Sequence, residues 1–596
     1  MQKNYDVIII GLGTAGAISL IKCAKLGLSV LGIERISEMG GTGTAGGIGC
    51  YYYGSKGGYY EEINKKAMSI QKEYFKDTPY EIAGTKSLIL EQEALNAGAE
   101  FLYNTHVLSV NKEGQKIISI KCIKEGKTFD VSAKLFIDTT GNADFSYLCG
   151  CEFIGGRDSD NIYMPYTNPV FIADPSPRVL NRDSGLIDMS DNTSYSKELL
   201  NSTAQYPFSE KVRGVDATFL KIAPLPGVRE SRKVVCEKTV TFEDAISQKP
   251  CDETVFYAFS NADTHEKCIA LENDFTKDWY VACNLWGVCM SVAIPMSALI
   301  PKGIDNLLCG GRILSVCHTL SSVVRMKSDM EKCGEVLSFM SYLKITENCA
   351  VKDIPYSKLN PYLLESKVLD ENNNVGFLNR TKTSLEPLEF SETLEDLEKD
   401  LDSERESFGV FAAKNIENSA DFLAKIQNST ERKGKYAAIA LGRMGDKRAI
   451  PVLREILENR DLTLPSGLKM TVPLGVTSIY LLGKLKDKQS ISLLKQIIIE
   501  RGSFNKELFT STEMFPTEKD LSFQFITHSV ATLKELALSF SDIKEDIINF
   551  LKENFVDNDY NLTDGSNSLV LNIKAGLKLT SVTYDHTDVI RNFILS

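Results

Sequence analysis

Asp6-Val7-Ile8-Ile9-Ile10 runs straight into Gly11-Leu12-Gly13-Thr14-Ala15-Gly16, and Ala17 to Leu26 carries on with helical character. A strand, a glycine turn and a helix start, in that order, build the phosphate-facing end of a βαβ unit. Gly11 permits the tight turn, Gly13 lets backbone approach a pyrophosphate, and Gly16 lets the helix pack close to the strand. The helix N-terminus, reached through Thr14 and Ala15 of the turn, offers free amides and the positive end of the helix dipole to the phosphates. Val30-Leu31-Gly32-Ile33 predicts a second strand, ended by Glu34, which lies 18 residues past Gly16. A carboxylate there accepts hydrogen bonds from a ribose and would repel a 2′-phosphate. A glycine motif by itself is a common turn. Strand, helix and Glu34 together make it a dinucleotide site, in a parallel sheet with helices on both faces.

At 596 residues the chain is long enough for several domains. Its formal charge of −12 opposes attraction to nucleic acid or an anionic membrane, so neither is expected as a partner. The N-terminus leads almost directly into the first strand, leaving no room for a leader, and no apolar run is long enough to span a bilayer. Fourteen scattered cysteines fit reduced thiols in a cytoplasmic protein. Neither Cys149-Gly-Cys151 nor Cys283/Cys289 has CxxC spacing, and no metal set is expected.

Three regions are expected. Residues 1–155 form the first part of the nucleotide domain, where Leu88 to Ala97 reads as helix and Glu100 to Val110 as one strand. In that helix Leu88, Leu90, Ala94 and Leu95 can share a face. Ala133 to Asp138 is a buried strand running into Thr139-Thr140-Gly141-Asn142-Ala143-Asp144, a turn suited to closing over a nucleotide. Residues 156–294 carry short β-like runs, among them Val234 to Thr241 and Trp279 to Cys283, and read as an inserted α+β substrate domain. Residues 295–345 return to the nucleotide domain through Asn306 to Arg312 and a long helix from Ser321 to Ser341. A linker, 346–390, contains the polar turn Asp370 to Asn374; the acidic run Glu386 to Glu406 reads as a solvated helix. Residues 391–596 differ in kind. Helix, Gly-Asp turn and helix at 435–453 recur at 479–494, and Gly442 to Gly483 gives a period of 41. Paired helices repeating at roughly 40–47 residues indicate an all-α HEAT-like domain. A weaker third copy is expected at Leu533 to Phe540 and Ile543 to Phe550.

Over roughly residues 4–345 the chain resembles bacterial FAD-dependent oxidoreductases with the glutathione-reductase-like, Rossmann-like FAD fold. The resemblance rests on Gly11 to Gly16 with Glu34, on Gly40-Gly41-Thr42-Gly43-Thr44-Ala45-Gly46-Gly47, on Ile137 to Asp144, and on Gly227-Val228-Arg229-Glu230-Ser231-Arg232. It ends with Ile294-Pro295 through Gly310-Gly311-Arg312 to His318 and Arg325. It implies FAD, with its pyrophosphate over Gly11–Gly16 and its ribose on Glu34, beside Arg35. Gly41, Thr42, Thr44, Ala45, Gly46 and Gly47 would run along the diphosphate and ribityl chain. The six glycines between 40 and 49, with Ala45, agree, since bare backbone can press on a flat ligand. Val107, placed just after a strand, would meet adenine; Thr140, Gly141, Asp144, Gly311 and Arg312 would close the site. A helix starting near Ser321 would aim its N-terminus at the flavin. One departure is Lys332-Cys333-Gly334-Glu335-Val336-Leu337-Ser338, a bulkier stretch than relatives carry there.

With FAD as cofactor, protein groups supply position, protons and charge. His318 is the acid/base candidate or else a structural histidine. Arg325 meets flavin or a substrate carboxylate, or else a surface acid. Arg229 and Arg232 bind an anionic substrate or pair with local acids, and Tyr51 to Tyr53 with Tyr59 and Tyr60 line a channel or pack. No second GxGxxG follows a strand, which disfavours a pyridine-nucleotide reductase. The expected activity is oxidation or reduction of a small organic substrate by hydride transfer to or from flavin N5, with electrons passing to oxygen, a quinone or a protein. The alternative is an electron-transfer or interaction subunit that docks a protein partner, or itself, through the repeats.

Overall fold

The computed structural model describes residues 3–75, 83–159, 161, 163–164, 166–174, 176–183, 209–212, 215–247, 251–265, 269–370, 376–380, 385–468, 470–512 and 514–557. The polar turn expected at Asp370 to Asn374 lies, apart from Asp370, outside the described residues. The chain divides into two compact units. One comprises Met1–Gly156, Ile162–Thr264 and Cys289–Phe377; the other comprises Arg157–Asn161, His265–Val288 and Leu378–Ser596.

The first unit is built on β1 (Lys3–Ile10), α1 (Thr14–Lys25), β2 (Val30–Ile33), α2 (Tyr60–Phe75), α3 (Ala83–Asn96), β3 (Glu100–Leu102), β4 (Thr105–Glu113), β5 (Lys116–Lys124), β6 (Lys127–Asp138) and α4 (Asp144–Cys149). The sheet order is β3-β2-β1-β6-β5-β4, and the strand Leu307–Cys309 also pairs with β6. β1, β2, β3, β6 and Leu307–Cys309 are parallel. β4 and β5 are antiparallel additions, so the sheet is mixed and not wholly parallel. The cause is the length of β6. Its last residues, Phe136 to Asp138, pair with Leu307 to Cys309, while Lys127 to Val131 turn back along β5 through a two-residue loop. Both loop residues, Glu125 and Gly126, have positive φ, the hallmark of a type I′ hairpin.

This arrangement decides what covers the sheet. Ile8, Ile10, Leu31, Ile33 and Phe136 bury themselves against Ile117, Ile120 and Cys122 of β5 and Phe145 and Cys149 of α4. That face is therefore covered by a β-layer and one short helix, in place of a helical layer. α1 packs against the helix Lys327–Thr346. The expected strand Glu100 to Val110 is broken at Asn104, whose φ of 51° puts it in the left-handed region. In α3, Leu90 and Ala94 are buried but Leu88 and Leu95 are exposed. Ile89 is buried instead, so the buried stripe sits one position from the expected one.

Two other expectations change. Val234 to Thr241 forms a strand only at Lys233–Val234. Trp279 to Cys283, in the second unit, is a π-turn at Asp278–Ala282, with Trp279, Tyr280, Val281 and Ala282 all buried. A continuous apolar run cannot separate a buried strand from a buried helical turn by period. The long helix expected at Ser321 to Ser341 is two helices, His318–Val324 and Lys327–Thr346, because Met326 takes an extended ψ of 143°.

In the second unit, Arg432–Arg443 and Ile450–Glu458 pair, as do Leu474–Lys484 and Ile491–Ile499. The 41-residue period has a packing basis. A Cβ on Gly442 would lie 3.3 Å from Leu481 in the next repeat, and one on Gly483 would lie 2.9 Å from Thr532 in the one after. Each turn is closed by an aspartate, Asp446 accepting from the Arg448 amide and Asp487 from the Gln489 amide. The third pair begins earlier than expected, at Glu518, in a 22-residue helix opened by a Thr517–Asp520 capping box. Phe523, Phe525, Ile526 and His528 are all buried there, so the amphipathic period that marks a surface helix is absent. The acidic run is only partly solvated. Glu406 is fully buried, paired with Arg432 and accepting from the Ser466 amide at 2.6 Å.

Candidate functional site

Every residue expected to hold a cofactor or substrate lies in the first unit, and the glycine turn and the 138–144 segment follow the carboxyl ends of parallel strands β1 and β6. Gly11 has φ +88°, and a Cβ there would sit 2.8 Å from the Thr139 carbonyl and the Thr140 amide. A Cβ on Gly16 would fall 1.9 Å from the Gly11 carbonyl, so the helix lies on the turn as a small residue requires. Gly13 is different: only the Gly41 Cα comes within 4 Å, at 3.9 Å. Its face is open. Gly13 also caps α1 without any side-chain hydrogen bond, leaving the amides from Thr14 and Ala15 onward without a side-chain cap. Glu34 is 7% exposed; Oε2 accepts from the Leu12 amide at 2.7 Å and Oε1 from the Ile36 amide at 3.1 Å. A carboxylate offers about four lone pairs, so acceptor capacity remains for a ribose. Burial raises the Glu34 pKa, against the pull of those two amides.

The glycine loop folds against this turn. Gly41, with φ +57°, would bring a Cβ within 3.0 Å of the Gly13 Cα. The Gly46 amide donates to the Gly41 carbonyl and the Ile48 amide to the Thr42 carbonyl, both at 3.0 Å. The Thr44 hydroxyl donates to the Met39 carbonyl at 2.6 Å. Ala45 is buried, and Gly47, at φ +70°, faces the Phe171 ring. Val107 lies within β4, opposite Cys122, and not beyond a strand. The Thr105 amide ties the start of that strand to the Glu34 carbonyl.

The 138–144 segment is a fastened lip. Asp138 is fully buried and accepts from the amides and hydroxyls of Thr140 and Ser146 at 2.6–2.9 Å. Burial still raises its pKa to about 6. Arg312 donates to the Gly141 carbonyl at 3.0 and 2.7 Å and to the Val228 carbonyl at 2.7 Å. Arg232 pairs with Asp144 at 2.8 Å, donates to the Asn142 carbonyl, and lies over the Tyr147 and Phe153 rings. Arg35 reaches Asp144 at 3.9 Å. Arg232 thus pairs with a local acid, one of the two outcomes open to it. At Gly311, φ +74°, a Cβ would lie 3.3 Å from the Ala15 Cβ, drawing the return segment up to α1.

The helix break at Arg325 and Met326 has consequences. Arg325 turns to Asp263, donating to its carboxylate at 2.7 Å and to its carbonyl. Lys327 begins the second helix with its ammonium 3.9 Å from the Tyr51 ring centre, against the Gly49 carbonyl. Its side chain runs past Gly43, where a Cβ would come within 3.2 Å of it. The departure at Lys332 to Ser338 leaves a small residue where it matters. A Cβ on Gly334 would fall 2.1 Å from the Ala15 carbonyl, while Lys332 and Glu335 turn to Ser55 and to Lys22 and the Tyr59 amide.

His318 is 7% exposed, with Nδ1 2.7 Å from Glu230 Oε2. Arg229 is buried and donates to the Thr167 hydroxyl. Lys233 is buried too, its ammonium on the Arg312 carbonyl. Burial lowers its pKa to about 7, opposed by Glu230 and reinforced by Arg312 and Arg325. Glu230, Lys233, Asp263 and Lys327 were not singled out from the sequence. A glutamate between two arginines and a lysine beside them read as local pairing, and only the fold brings them to His318 and Arg312.

A family model described as FAD dependent oxidoreductase matches residues 6–182 and 178–363, and one for the PBS lyase HEAT-like repeat matches residues 435–459. The chain is 27% identical over 157 residues to digeranylgeranylglycerophospholipid reductase 2 of Methanococcoides burtonii, covering 24% of this chain and 39% of that protein. It therefore spans well under half the length of that curated relative. Among solved structures, it is similar to a geranylgeranyl bacteriochlorophyll reductase-like protein of Thermoplasma acidophilum, at 14% identity and a TM-score of 0.31, over 61% of this chain and 83% of that one. It is also similar to the anhydrotetracycline hydroxylase OxyS of Streptomyces rimosus, at 11% identity and a TM-score of 0.27, over 74% and 76%. The family model covers more than half of the sequence, over the glycine turn, Glu34, the 138–144 lip and the return segment: the chain belongs to the FAD dependent oxidoreductase family.

Proposed function

We propose that the chain is an enzyme that binds FAD over the Gly11–Gly16 turn and oxidises or reduces a small organic substrate. The observation that carries this is the contrast among three glycines. Gly11 and Gly16 leave no room for a Cβ, whereas Gly13 faces open space at a helix N-terminus without a side-chain cap. An anion with two phosphates fits that face. When bound, FAD supplies the hydride acceptor or donor at N5.

The protein's own groups do the rest. The α1 amides would hold the pyrophosphate, and Glu34, beside Arg35, would hold the adenosine ribose. Backbone from Gly41 to Gly47, with Thr42, Thr44 and Ala45, would hold the diphosphate and ribityl chain, and Val107 would offer backbone to adenine. Arg312 and Arg232 keep Thr140, Gly141 and Asp144 in place, and Gly311 draws the return segment onto α1. His318 holds or releases the substrate proton, while Arg229 and Arg325 are the candidates to meet an anionic substrate group, Arg325 on exchanging its Asp263 partner. On this reading residues 1–155 and 295–345 are the FAD domain, 156–294 the substrate domain, 346–390 a linker and 391–596 the repeats, with self-association as the repeats' further role. Among the described residues no helix is long and apolar enough to cross a membrane.

Anaerobic mixing of the flavin-loaded protein with a panel of small hydroxy acids, amines and enoates tests the reading. Bleaching of the flavin bands by one class, without any protein partner, is the expected result. A flavin that only a partner protein reduces would overturn it.

A further inference from the structure

We propose that Glu230 is the positioning residue for His318, holding its imidazole with a proton on Nδ1 so that the other ring nitrogen gains and loses the working proton. The inference deepens the reading of His318 as the acid/base group, but its test does not depend on turnover.

Glu230 is 2% exposed, and three nitrogens surround its carboxylate. The Gly156 amide lies 3.2 Å from Oε1, while the Met164 amide at 3.0 Å and His318 Nδ1 at 2.7 Å share Oε2. Backbone amides only donate, so both oxygens act as acceptors, and a carboxylate held in that role takes the hydrogen of the third contact from Nδ1. The flanking arginines do not account for the glutamate: Arg232 pairs with Asp144, and Arg229 donates to Thr167. Lys233, whose ammonium is on the Arg312 carbonyl, lies within electrostatic reach of Glu230, and Arg312, Arg325 and Cys317 lie within reach of Lys233. A histidine whose orienting partner fixes one nitrogen presents the other in a single direction, the requirement for transferring a proton to a bound substrate.

The test uses full-length, flavin-loaded protein labelled with 15N-histidine. It has five histidines, and the spectrum of H318Q assigns the one in question. The expected result is an Nδ1–H tautomer in the wild type, with a titration midpoint that falls by about one pH unit or more in E230Q, since removing an opposite charge within hydrogen-bond reach weakens the charged form by that order. E230D, which keeps the charge on a shorter arm, should recover part of the shift. A proton on Nε2 in the wild type would overturn the proposal, as would an unchanged midpoint in folded, flavin-loaded E230Q. If E230Q does not fold, the wild-type tautomer decides alone. A wrong tautomer in protein with intact flavin bands removes the Glu230 assignment and leaves the FAD reading standing.

Discussion

Replacing Gly334 with alanine sets two physical effects against each other. In the middle of the helix Lys327–Thr346, intrinsic propensity favours alanine by about 1 kcal/mol. The fold opposes it, because the new Cβ would sit 2.1 Å from the Ala15 carbonyl, which is backbone and cannot rotate away. Restoring an ordinary contact of 3.4 Å requires the helix and α1 to part by more than an ångström along a fully buried seam. Overpacking of this kind costs about 3 kcal/mol at the upper end of its usual range, so the net loss is about 2 kcal/mol. At about 2–4 °C per kcal/mol the melting temperature falls by roughly 4–8 °C. Ala15 stands in the first turn of α1, so the same displacement misaligns the amides proposed to hold the pyrophosphate. FAD affinity should drop about tenfold or more, the equivalent of about 1.4 kcal/mol. The assay is a thermal melt followed by flavin fluorescence, with an FAD titration of each variant. Gly84→Ala is the control: Gly84 is exposed in α3 with nothing within 4 Å of its Cβ position, and it should be neutral or slightly stabilising. If Gly334→Ala instead melts higher and keeps its flavin, the close approach of the two helices, and the reasoning from it, is wrong.

Lys233→Met should flatten the pH dependence of stability between about 7 and 10. The folded-state pKa of Lys233 lies near 7, below its unfolded value, so the unfolded chain binds the extra proton in that window and wild-type stability rises with pH across it. Chemical denaturation at several pH values reads the slope, and an identical slope in the variant would refute the assignment. Arg443→Ala should destabilise the repeats by about 1–3 kcal/mol, because it removes the buried guanidinium that donates to the Val410 and Phe411 carbonyls and takes one of two cations from half-buried Asp278, which keeps Lys484 at 2.8 Å. Limited proteolysis should then cut within 391–557 first; unchanged protection would show that the contact contributes nothing.

What the sequence made legible was local. Gly11 to Gly16 and Glu34 are read within 25 residues of chain, and the repeats announce themselves through a period that the Gly442–Leu481 and Gly483–Thr532 contacts then explain. What it concealed was non-local. Glu230 and His318 are 88 residues apart, and Arg232 and Asp144 are also 88 apart, so neither pairing leaves a periodic trace. The break at Met326 has no proline or glycine to mark it. Continuous apolar or mixed runs, such as Trp279 to Cys283, are compatible with strand and helical turn alike, and packing alone settles them. The mixed sheet was within reach: Glu125-Gly126, between two alternating runs, is a hairpin signal that the longer β6 pattern obscured.

On the proposed reading this chain holds one FAD on the Gly11–Gly16 turn with its ribose at Glu34. The most direct measurement is flavin stoichiometry after incubating the full-length protein with excess FAD, or separately with FMN, and desalting. About one FAD per chain and little FMN are expected, because FMN lacks the adenosine half that Glu34 would hold. Flavin-free protein after FAD incubation, or equal retention of both, would contradict that reading.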